Sequence, residues 1–211
     1  MELKGKTANF LGDSITAGVG VSCPEHIYYN ILKKECGLAE VRNYGISGTR
    51  IARQPGDVEE CGAALCIRHE EMKNADINVI FGGSNDFGYG IAPIGTYDDR
   101  TPDTYYGGWH TLLSGLIAKD PDSTIVVMTP LHRDDDFKPS IGNGKTLKVY
   151  SDIAKEVAEY YSVPVLDLYA LSGIQPCIPI VKEKYCPDGL HPNDNGHKII
   201  ASRLIGFLKS L

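Results

Sequence analysis

The sequence has no long hydrophobic run and no excess of positive charge. No apolar stretch among its 211 residues is long enough to cross a membrane, and the N-terminal MELKGKTANF lacks the apolar core of a signal peptide. Lys and Arg number 21 against 27 Asp and Glu, which gives a formal net charge of -6. Nucleic-acid-binding proteins usually carry a basic stripe instead. We therefore expect a cytoplasmic protein with no membrane span and no nucleic-acid partner.

Sequence patterns that bind metals are also missing. The six cysteines form no C-x-x-C pair, which argues against a zinc site or a dithiol redox centre. An even number of cysteines could form disulfides, but the lack of a secretion signal and the size of the chain favour free thiols. The acidic run RDDD, residues 133–136, could bind a cation, but such a run in a loop is usually just solvated. We expect neither a metal nor an organic cofactor.

Length and composition fit a single domain, residues 1–211. Hydrophobic residues make up 42% of the chain and charged residues 23%, which is ordinary for a globular protein. Short runs rich in Val and Ile, apolar on both faces, recur along the chain at 7–12, 40–45, 76–83, 123–130 and 163–168. Such runs are typical of the strands of a parallel sheet that is covered on both sides.

Stretches with helical periodicity follow the later runs, at 145–161 and 194–211. Strands that alternate with helices predict a three-layer α/β/α sandwich with a doubly wound, mostly parallel sheet of about five strands. Two connections are unusually long, 84–110 after the third strand and 131–144 after the fourth. Both follow the carboxyl ends of strands, where ligands bind in this architecture. The aromatics and prolines of the first connection favour an ordered lid.

The stretch NFLGDSITAG, residues 9–18, places Asp13 and Ser14 where the first apolar run ends. These residues could simply form a turn and cap the next helix. Alternatively, Ser14 is a nucleophile, which needs a base, a group that orients the base, and donors for an oxyanion. Gly48, after the second strand, could bring a bare backbone N–H close to a ligand. Asn85, after the third strand, offers a side-chain amide as a further donor.

The segment CPDGLHPNDNG, residues 186–196, supplies a candidate base. Asp188 and His191 lie three residues apart, so in a helical or 3₁₀ turn their Cβ atoms are about 5–6 Å apart. The carboxylate can then accept from one ring nitrogen while the other nitrogen faces Ser14. Taken alone, the pair could equally be a surface cap.

Together these segments resemble the SGNH (GDSL) hydrolase family. All four of its motifs occur in the family's order: G-D-S-I at 12–15, the glycine of I-S-G at Gly48, G-S-N-D at 83–86 and D-G-L-H at 188–191. One small departure is Ser84, where many relatives carry Thr. The resemblance covers most of the chain and implies the family's α/β fold.

The resemblance also implies a role for each motif residue. Ser14 corresponds to the nucleophile, His191 to the general base and Asp188 to the carboxylate that orients it. The backbone N–H of Ser14, the N–H of Gly48 and the side chain of Asn85 correspond to the oxyanion hole. The implied reaction is a two-step acyl transfer through an acyl-enzyme, and it requires no metal or organic cofactor.

The family acts on many esters, including acetylated carbohydrates, lysophospholipids, thioesters and aryl esters, so the motifs do not choose the substrate. The 84–110 connection carries aromatic side chains that suit a sugar ring: Phe87, Tyr89, Tyr97, Tyr105, Tyr106 and Trp109. Packing of these rings within the protein is an equal alternative. We take Tyr105, Trp109, Asp13 and His132 as candidate substrate-binding residues. The prediction is a serine esterase that hydrolyses short-chain acyl esters, O-acetyl esters foremost, of a carbohydrate. Its expected partner is a small-molecule or oligosaccharide ester.

Several alternatives stay open at this point. Within the same class, the chain could be a lysophospholipase or a thioesterase-type acylhydrolase. A non-catalytic carbohydrate-binding protein on the same fold should carry a broken triad or oxyanion motif, and none is broken here. A redox or flavin protein is disfavoured because residues 12–18 have the pattern of an acyl-transfer turn and not that of a phosphate-binding loop. The sequence also leaves a homo-oligomer open.

Overall fold

A five-stranded, all-parallel sheet forms the centre of the computed structural model, which describes residues 1–56 and 64–211. The strands, in the spatial order β2-β1-β3-β4-β5, are β1 (Thr7–Gly12), β2 (Glu40–Gly45), β3 (Ile77–Phe81), β4 (Thr124–Met128) and β5 (Val165–Leu166). The predicted strands are therefore confirmed. The first two have the expected bounds, and the other three are shorter than predicted.

Helices connect these strands and flank them. In the described residues the helices are α1 (Ser14–Ala17), α2 (Tyr28–Cys36), α3 (Leu65–Arg68), α4 (Ser84–Tyr89), α5 (Tyr105–Lys119), α6 (Leu147–Tyr160), α7 (Leu168–Leu171), α8 (Pro179–Tyr185) and α9 (Asp194–Ser210). Both helices expected from periodicity are present, as α6 and α9. The Asn193 side chain caps α9 by accepting from the N–H groups of Asn195 and Gly196, which explains why the helix begins directly after the D-G-L-H segment.

Successive side chains of each strand enter two separate hydrophobic cores, because neighbours along a strand point to opposite faces of a sheet. Phe10 and Val79 belong to the core that the sheet shares with α2 and α9. Leu11 and Ile80 belong to the core that it shares with α3, α5 and α6. Helices therefore cover both faces, and the predicted three-layer sandwich is confirmed.

Strand β2 differs from the expectation that every run is apolar and covered on both faces. It lies at an edge of the sheet, and none of its six residues is fully buried. Arg42 and Asn43 can occupy this strand because an edge position leaves part of each residue in contact with water.

The 84–110 connection is not one long loop. It begins with α4 and ends within α5, whose start is capped by the Thr104 side chain. The residues between the two helices are tied to the rest of the protein. The Gln54 side-chain oxygen accepts from the N–H of Ile91 at 2.7 Å and from that of Ala92 at 3.0 Å. Residues 84–110 were expected to form a long ordered lid. They instead consist of α4, a hydrogen-bonded connection and the first part of α5.

Neither a membrane-crossing helix nor a disulfide is found in the part of the chain that the structure describes. None of its helices combines the length and the hydrophobicity needed to span a bilayer. The described cysteines are all free thiols: Cys23, Cys36, Cys66, Cys177 and Cys186. Cys61 lies outside the described residues. The cytoplasmic location stays a prediction.

Candidate active site

Ser14, Gly48 and Asn85 follow three neighbouring strands, all at the carboxyl ends of these strands. Ser14 begins α1 directly beyond β1, Gly48 lies beyond β2, and Asn85 is in the first turn of α4 beyond β3. In the order β2-β1-β3, the chain changes direction across the sheet between β1 and β3. Open α/β sheets bind ligands at the carboxyl ends of their strands at such a point. The sequence-predicted residues therefore meet where this architecture places its sites.

The backbone around Ser14 is held closely against the sheet. The Asp13 carboxylate accepts from the Ile15 N–H at 3.0 Å and so caps α1. A Cβ atom on Gly12 would lie only 2.2 Å from Thr16 Oγ1 and 2.6 Å from the Phe81 carbonyl oxygen. Only glycine allows this approach, so the turn after β1 is both short and fixed. Ser14 is thus presented on a rigid strand-to-helix turn.

The side chains of Ser14, His191 and Asp188 form a continuous hydrogen-bonded chain. Ser14 Oγ lies 2.9 Å from His191 Nε2, and His191 Nδ1 lies 2.7 Å from Asp188 Oδ2. With a proton on Nδ1 donated to the carboxylate, Nε2 is left to accept the proton of the Ser14 hydroxyl. The arrangement can therefore activate a serine oxygen as a nucleophile.

Asp188 is kept as a carboxylate that orients the histidine. Its Oδ1 accepts from the backbone N–H groups of Leu190 at 2.8 Å and His191 at 2.7 Å. Partial burial alone would raise the pKa of this carboxyl. The two N–H donors and the His191 ring outweigh burial and hold the pKa below its usual range. The acid can thus stay charged and face the imidazole at neutral pH.

Two groups beside Ser14 can donate hydrogen bonds to a developing negative charge. The Asn85 side-chain amide is buried and donates through Nδ2 to the Thr49 carbonyl oxygen at 3.0 Å, which leaves one further N–H. Gly48 has a φ of +80°, a conformation that favours glycine. No protein acceptor within the described residues takes a hydrogen bond from its N–H. The site therefore contains unengaged donors of the kind that an oxyanion requires.

Residues 1–56 and 64–211 contain no group of three or more His, Cys, Asp or Glu side chains placed to hold a metal ion.

Comparison with known families identifies the family of the chain. A family model described as the GDSL-like Lipase/Acylhydrolase family matches residues 10–199, most of the sequence. The chain belongs to this family. It is an ester-hydrolysing enzyme of the GDSL-like type. No curated protein matched the sequence at a significant level.

Solved structures of other proteins share the fold of this chain. A crystal structure of a Lactobacillus plantarum protein is 32% identical, with coverage of 99% of this chain and 98% of that chain and a TM-score of 0.85. An acetyl xylan esterase from Geobacillus stearothermophilus is 24% identical over 98% of each chain, with a TM-score of 0.62. A two-domain esterase active on acetylated mannans is 21% identical over 98% of this chain and 50% of that chain, with a TM-score of 0.63. The last two share the fold of this GDSL-like hydrolase.

Two of the predicted substrate-binding residues lie in the core of the hydrolase. Tyr105 is 1% exposed and Trp109 is 0% exposed. The Tyr105 ring packs edge-on against Tyr150 with centroids 4.9 Å apart, and its hydroxyl donates to the Tyr150 carbonyl oxygen at 3.3 Å. Neither ring offers a face to a sugar, so the prediction that they bind substrate is wrong. The alternative, that these aromatics pack within the protein, holds for both.

Asp13 and His132, the other two candidates, have structural partners. Asp13 caps α1, and burial raises the pKa of its carboxyl to about 6, although the Ile15 N–H and the positive charges nearby lower it in part. His132 donates through Nδ1 to the Asp136 carboxylate, and the centroid of its ring lies 3.9 Å from that of the Tyr169 ring. Substrate binding by either residue stays a prediction.

The acidic run at 133–136 is not simply solvated as expected. Asp135 pairs with Arg133, Asp134 with Lys182, and Asp136 with His132. The pair with Lys182 attaches the segment to α8, and the other two pairs are made within the loop after β4. The aspartates are thus engaged by side chains of the hydrolase itself, which leaves little reason to read them as a cation site.

Sequence reasoning missed three residues that hold the site together. Asp86, the last residue of G-S-N-D, accepts from the N–H groups of Ile51 at 2.9 Å and Ala52 at 3.0 Å. Arg133 donates to the Ser84 carbonyl oxygen at 3.0 Å. The Tyr89 hydroxyl donates to the Gly48 carbonyl oxygen at 2.9 Å. Only Asp86 lies within a motif that could have pointed to it.

Proposed function

We propose that this enzyme hydrolyses short-chain acyl esters, most simply O-acetyl esters, of a carbohydrate. The observation that carries the proposal is the 2.9 Å contact of Ser14 Oγ with His191 Nε2, continued by the 2.7 Å contact of His191 with Asp188. A serine, an imidazole and a carboxylate in this order are the groups that acyl transfer needs.

The proposed reaction has two steps. His191 takes the hydroxyl proton of Ser14 as the oxygen attacks the ester carbonyl, and the N–H groups of Ser14, Gly48 and Asn85 stabilise the oxyanion. The intermediate collapses, and the alcohol leaves with the proton from His191. A water molecule then attacks the acyl-enzyme, with His191 again taking the proton. The carboxylic acid leaves, and the Ser14 hydroxyl is restored.

The polar character of the site supports a small acyl group on a polar alcohol. Buried Asp13 and Asn85 lie beside the nucleophile, and Arg50 and the half-exposed Tyr89 lie beside Gly48. Charged and hydrogen-bonding groups match the hydroxyls of a sugar better than they match a long hydrocarbon chain. Two of the fold neighbours, an acetyl xylan esterase and an esterase active on acetylated mannans, act on acetylated carbohydrates. Tyr105 and Trp109 no longer contribute to this argument.

A second candidate, a lysophospholipase or thioesterase-type acylhydrolase, is favoured by one partly apolar groove. The groove has a volume of about 580 Å³ and is lined by Phe137 and three prolines together with the charged side chains of Asp134, Lys182 and Glu183. One of the prolines, Pro187, directly precedes Asp188. The Phe137 ring is 65% exposed. An acyl chain could cover such a surface.

The test compares 4-nitrophenyl acetate, butyrate and octanoate with acetylated xylo- and manno-oligosaccharides. We expect rates to fall as the acyl chain lengthens, and we expect release of acetate from at least one class of sugar. Ser14→Ala should abolish both activities. Ser22→Ala is a matched control, because Ser22 also contacts a histidine and an aspartate, His26 and Asp194, but lies outside the motifs.

Three outcomes would contradict the proposal. Turnover retained in Ser14→Ala would remove the mechanism. A phosphonate label found on Ser22 instead of Ser14 would do the same. Rates that rise toward octanoate, and that fall selectively for octanoate in Phe137→Ala, would replace the carbohydrate substrate with the acylhydrolase alternative.

A further inference from the structure

Tyr89 links the two oxyanion-hole motifs across 41 residues of sequence. It is the last residue of α4, the helix that opens with G-S-N-D, and its hydroxyl donates to the Gly48 carbonyl oxygen at 2.9 Å. Burial raises the pKa of the phenol above its usual range, although the nearby Arg50 lowers it in part. The hydroxyl therefore keeps its proton, and its role as a donor, throughout the neutral range.

Gly48 needs such a partner because its backbone is intrinsically free. Its φ of +80° lies in a region that glycine enters and leaves at little cost. A Cβ atom at this position would lie 3.1 Å from the Tyr89 hydroxyl, so the tyrosine sits directly against the glycine backbone. A hydrogen bond to the Gly48 carbonyl fixes the peptide that follows, and so restricts rotation about the backbone of this glycine.

Arg50 holds the tyrosine ring in place. Its guanidinium carbon lies 4.4 Å from the centroid of the Tyr89 ring, a cation–π contact. The Arg50 Nε is buried and has no hydrogen-bond partner in the part of the chain that the structure describes. The Arg50 charge also lowers the pKa of the buried Asp86 carboxyl in part, and its contact with the ring restrains Tyr89. Without it, only the hydrogen bond of its hydroxyl would oppose a change of rotamer in a tyrosine that is 43% exposed.

The contact of Tyr89 with Gly48 is one of three side-chain contacts that α4 makes with the segment after β2. Asn85 donates to the Thr49 carbonyl oxygen, and Asp86 accepts from the Ile51 N–H and from the residue after it. Asn85 and Asp86 therefore anchor the loop near its middle and near its end. Tyr89 anchors it at the glycine itself.

We propose that Tyr89, held by Arg50, is a positioning residue that orients the Gly48 N–H toward the oxyanion. The inference rests on the proposed function, because it requires Gly48 to be an oxyanion donor. Misplacement of such a donor acts on the transition state and not on the bound ester. Loss of the tyrosine hydroxyl should consequently lower kcat and leave KM unchanged.

The experiment compares Tyr89→Phe with Tyr106→Phe. Tyr89→Phe keeps the ring and its contact with Arg50 but removes the hydroxyl. Tyr106→Phe is the matched control, because its hydroxyl also makes one hydrogen bond, 2.6 Å from Glu156, between α5 and α6. On 4-nitrophenyl acetate we expect Tyr89→Phe to lower kcat about tenfold, less than the 10²–10³ typical of removing an oxyanion donor outright. The control should retain wild-type kcat and KM.

A transition-state mimic distinguishes positioning from a general structural effect. An alkyl trifluoromethyl ketone forms a hemiketal with the serine, and its oxygen occupies the oxyanion hole. Its inhibition constant should rise in Tyr89→Phe by the same factor as kcat/KM falls. Arg50→Met, which removes the cation from the ring but keeps the hydroxyl, should lower kcat by a smaller factor, about two to three, in keeping with the modest energy of a cation–π contact.

The outcomes separate this inference from the function on which it rests. Ser14→Ala that keeps activity would overturn the function itself. Inactive Ser14→Ala together with a wild-type kcat in Tyr89→Phe would overturn only the role of Tyr89. A raised KM with unchanged kcat would make Tyr89 a substrate contact instead. If Tyr89→Phe is not stably folded, Arg50→Met decides, and a wild-type kcat with unchanged ketone binding in that variant counts against the inference.

Discussion

The Asn85 amide is anchored to the loop that carries Gly48. Its Nδ2 donates to the Thr49 carbonyl oxygen at 3.0 Å, and both residues are buried. The bond uses one of the two amide hydrogens and so sets the direction of the other before any substrate binds. A donor that is already oriented needs no reorganisation during the reaction, which is the condition under which hydrogen bonds accelerate a chemical step.

Asn85→Ala should therefore lower kcat by about 10²–10³ with little change in KM. The reason is that the negative charge that Asn85 would meet exists only in the transition state. Steady-state kinetics on 4-nitrophenyl acetate give both constants. Asn143→Ala, which removes an amide bound to Ala92 between α4 and α5, serves as the control and should keep a normal kcat. A raised KM at constant kcat would instead assign Asn85 to substrate binding.

Asp188→Asn should reduce kcat by up to about 10⁴ and leave the fold intact. The asparagine oxygen can still accept from the Leu190 and His191 N–H groups, but its NH₂ would face His191 Nδ1. The imidazole would then carry its proton on Nε2, the nitrogen that must accept from Ser14. Circular dichroism checks the fold, and kcat measures the loss. Activity within tenfold of wild type would show that the carboxylate does not set the tautomer.

The sequence could predict which motif residues lie close together because most of their signals are local. Gly12 and Asp13 end a buried strand for steric and capping reasons that do not depend on the rest of the fold. Asp188 and His191 are close in sequence, so one turn brings them together. The meeting of Ser14 with His191 spans 177 residues, and only the strand order and the family resemblance could predict it.

The residues that sequence reasoning placed wrongly, or missed, depend on tertiary contacts. A stretch of aromatic residues and glycines can form either a sugar-binding lid or a buried helix, and the sequence pattern is the same in both cases. Trp109 belongs to a buried helix, α5. Tyr89 and Arg133 reach Gly48 and Ser84 across 41 and 49 residues. No periodicity or spacing marks such pairs, because the register of α4 against its neighbouring loops decides them.

Trp109→Ala should now affect stability and not specificity. The indole is fully buried beside Tyr105, and its removal should lower the free energy of unfolding by about 3–5 kcal/mol. Urea denaturation measures this change. Tyr97→Ala, at a ring that is 36% exposed, is the matched control and should have a smaller effect. The ratio of activities on acetylated sugar and 4-nitrophenyl acetate should stay constant in folded Trp109→Ala. A selective loss on the sugar would restore the sugar-stacking role.

His197 makes stability depend on pH in a direction that can be worked out. Its ring is 0% exposed, and Nδ1 accepts from the Tyr28 N–H at 3.2 Å. Burial lowers the pKa of this histidine from 6.5 to about 4, although Asp194 raises it in part. Below pH 6.5 the unfolded chain gains a proton that the folded chain does not. The stability that neutral His197 contributes is therefore complete above pH 6.5 and is lost as pH falls toward 4, by up to about 3 kcal/mol.

Two buried carboxyls act in the opposite direction, so the test needs a variant. Burial raises the pKa values of Asp13 and Asp86 from 3.8 to about 6, and the folded chain consequently takes up protons before the unfolded chain does. Their contribution rises as pH falls from 6 to 3.8 and can mask that of His197 in the wild type. His197→Asn keeps an acceptor for the Tyr28 N–H, removes the titration and leaves both carboxyls in place. Urea denaturation should be carried out at several pH values between 7.5 and 4.5. We expect the wild type to have a higher free energy of unfolding than His197→Asn at pH 7.5, and we expect this difference to shrink toward pH 4.5. A difference in unfolding free energy that stays constant across this range would mean that His197 does not titrate differently in the folded and unfolded chains.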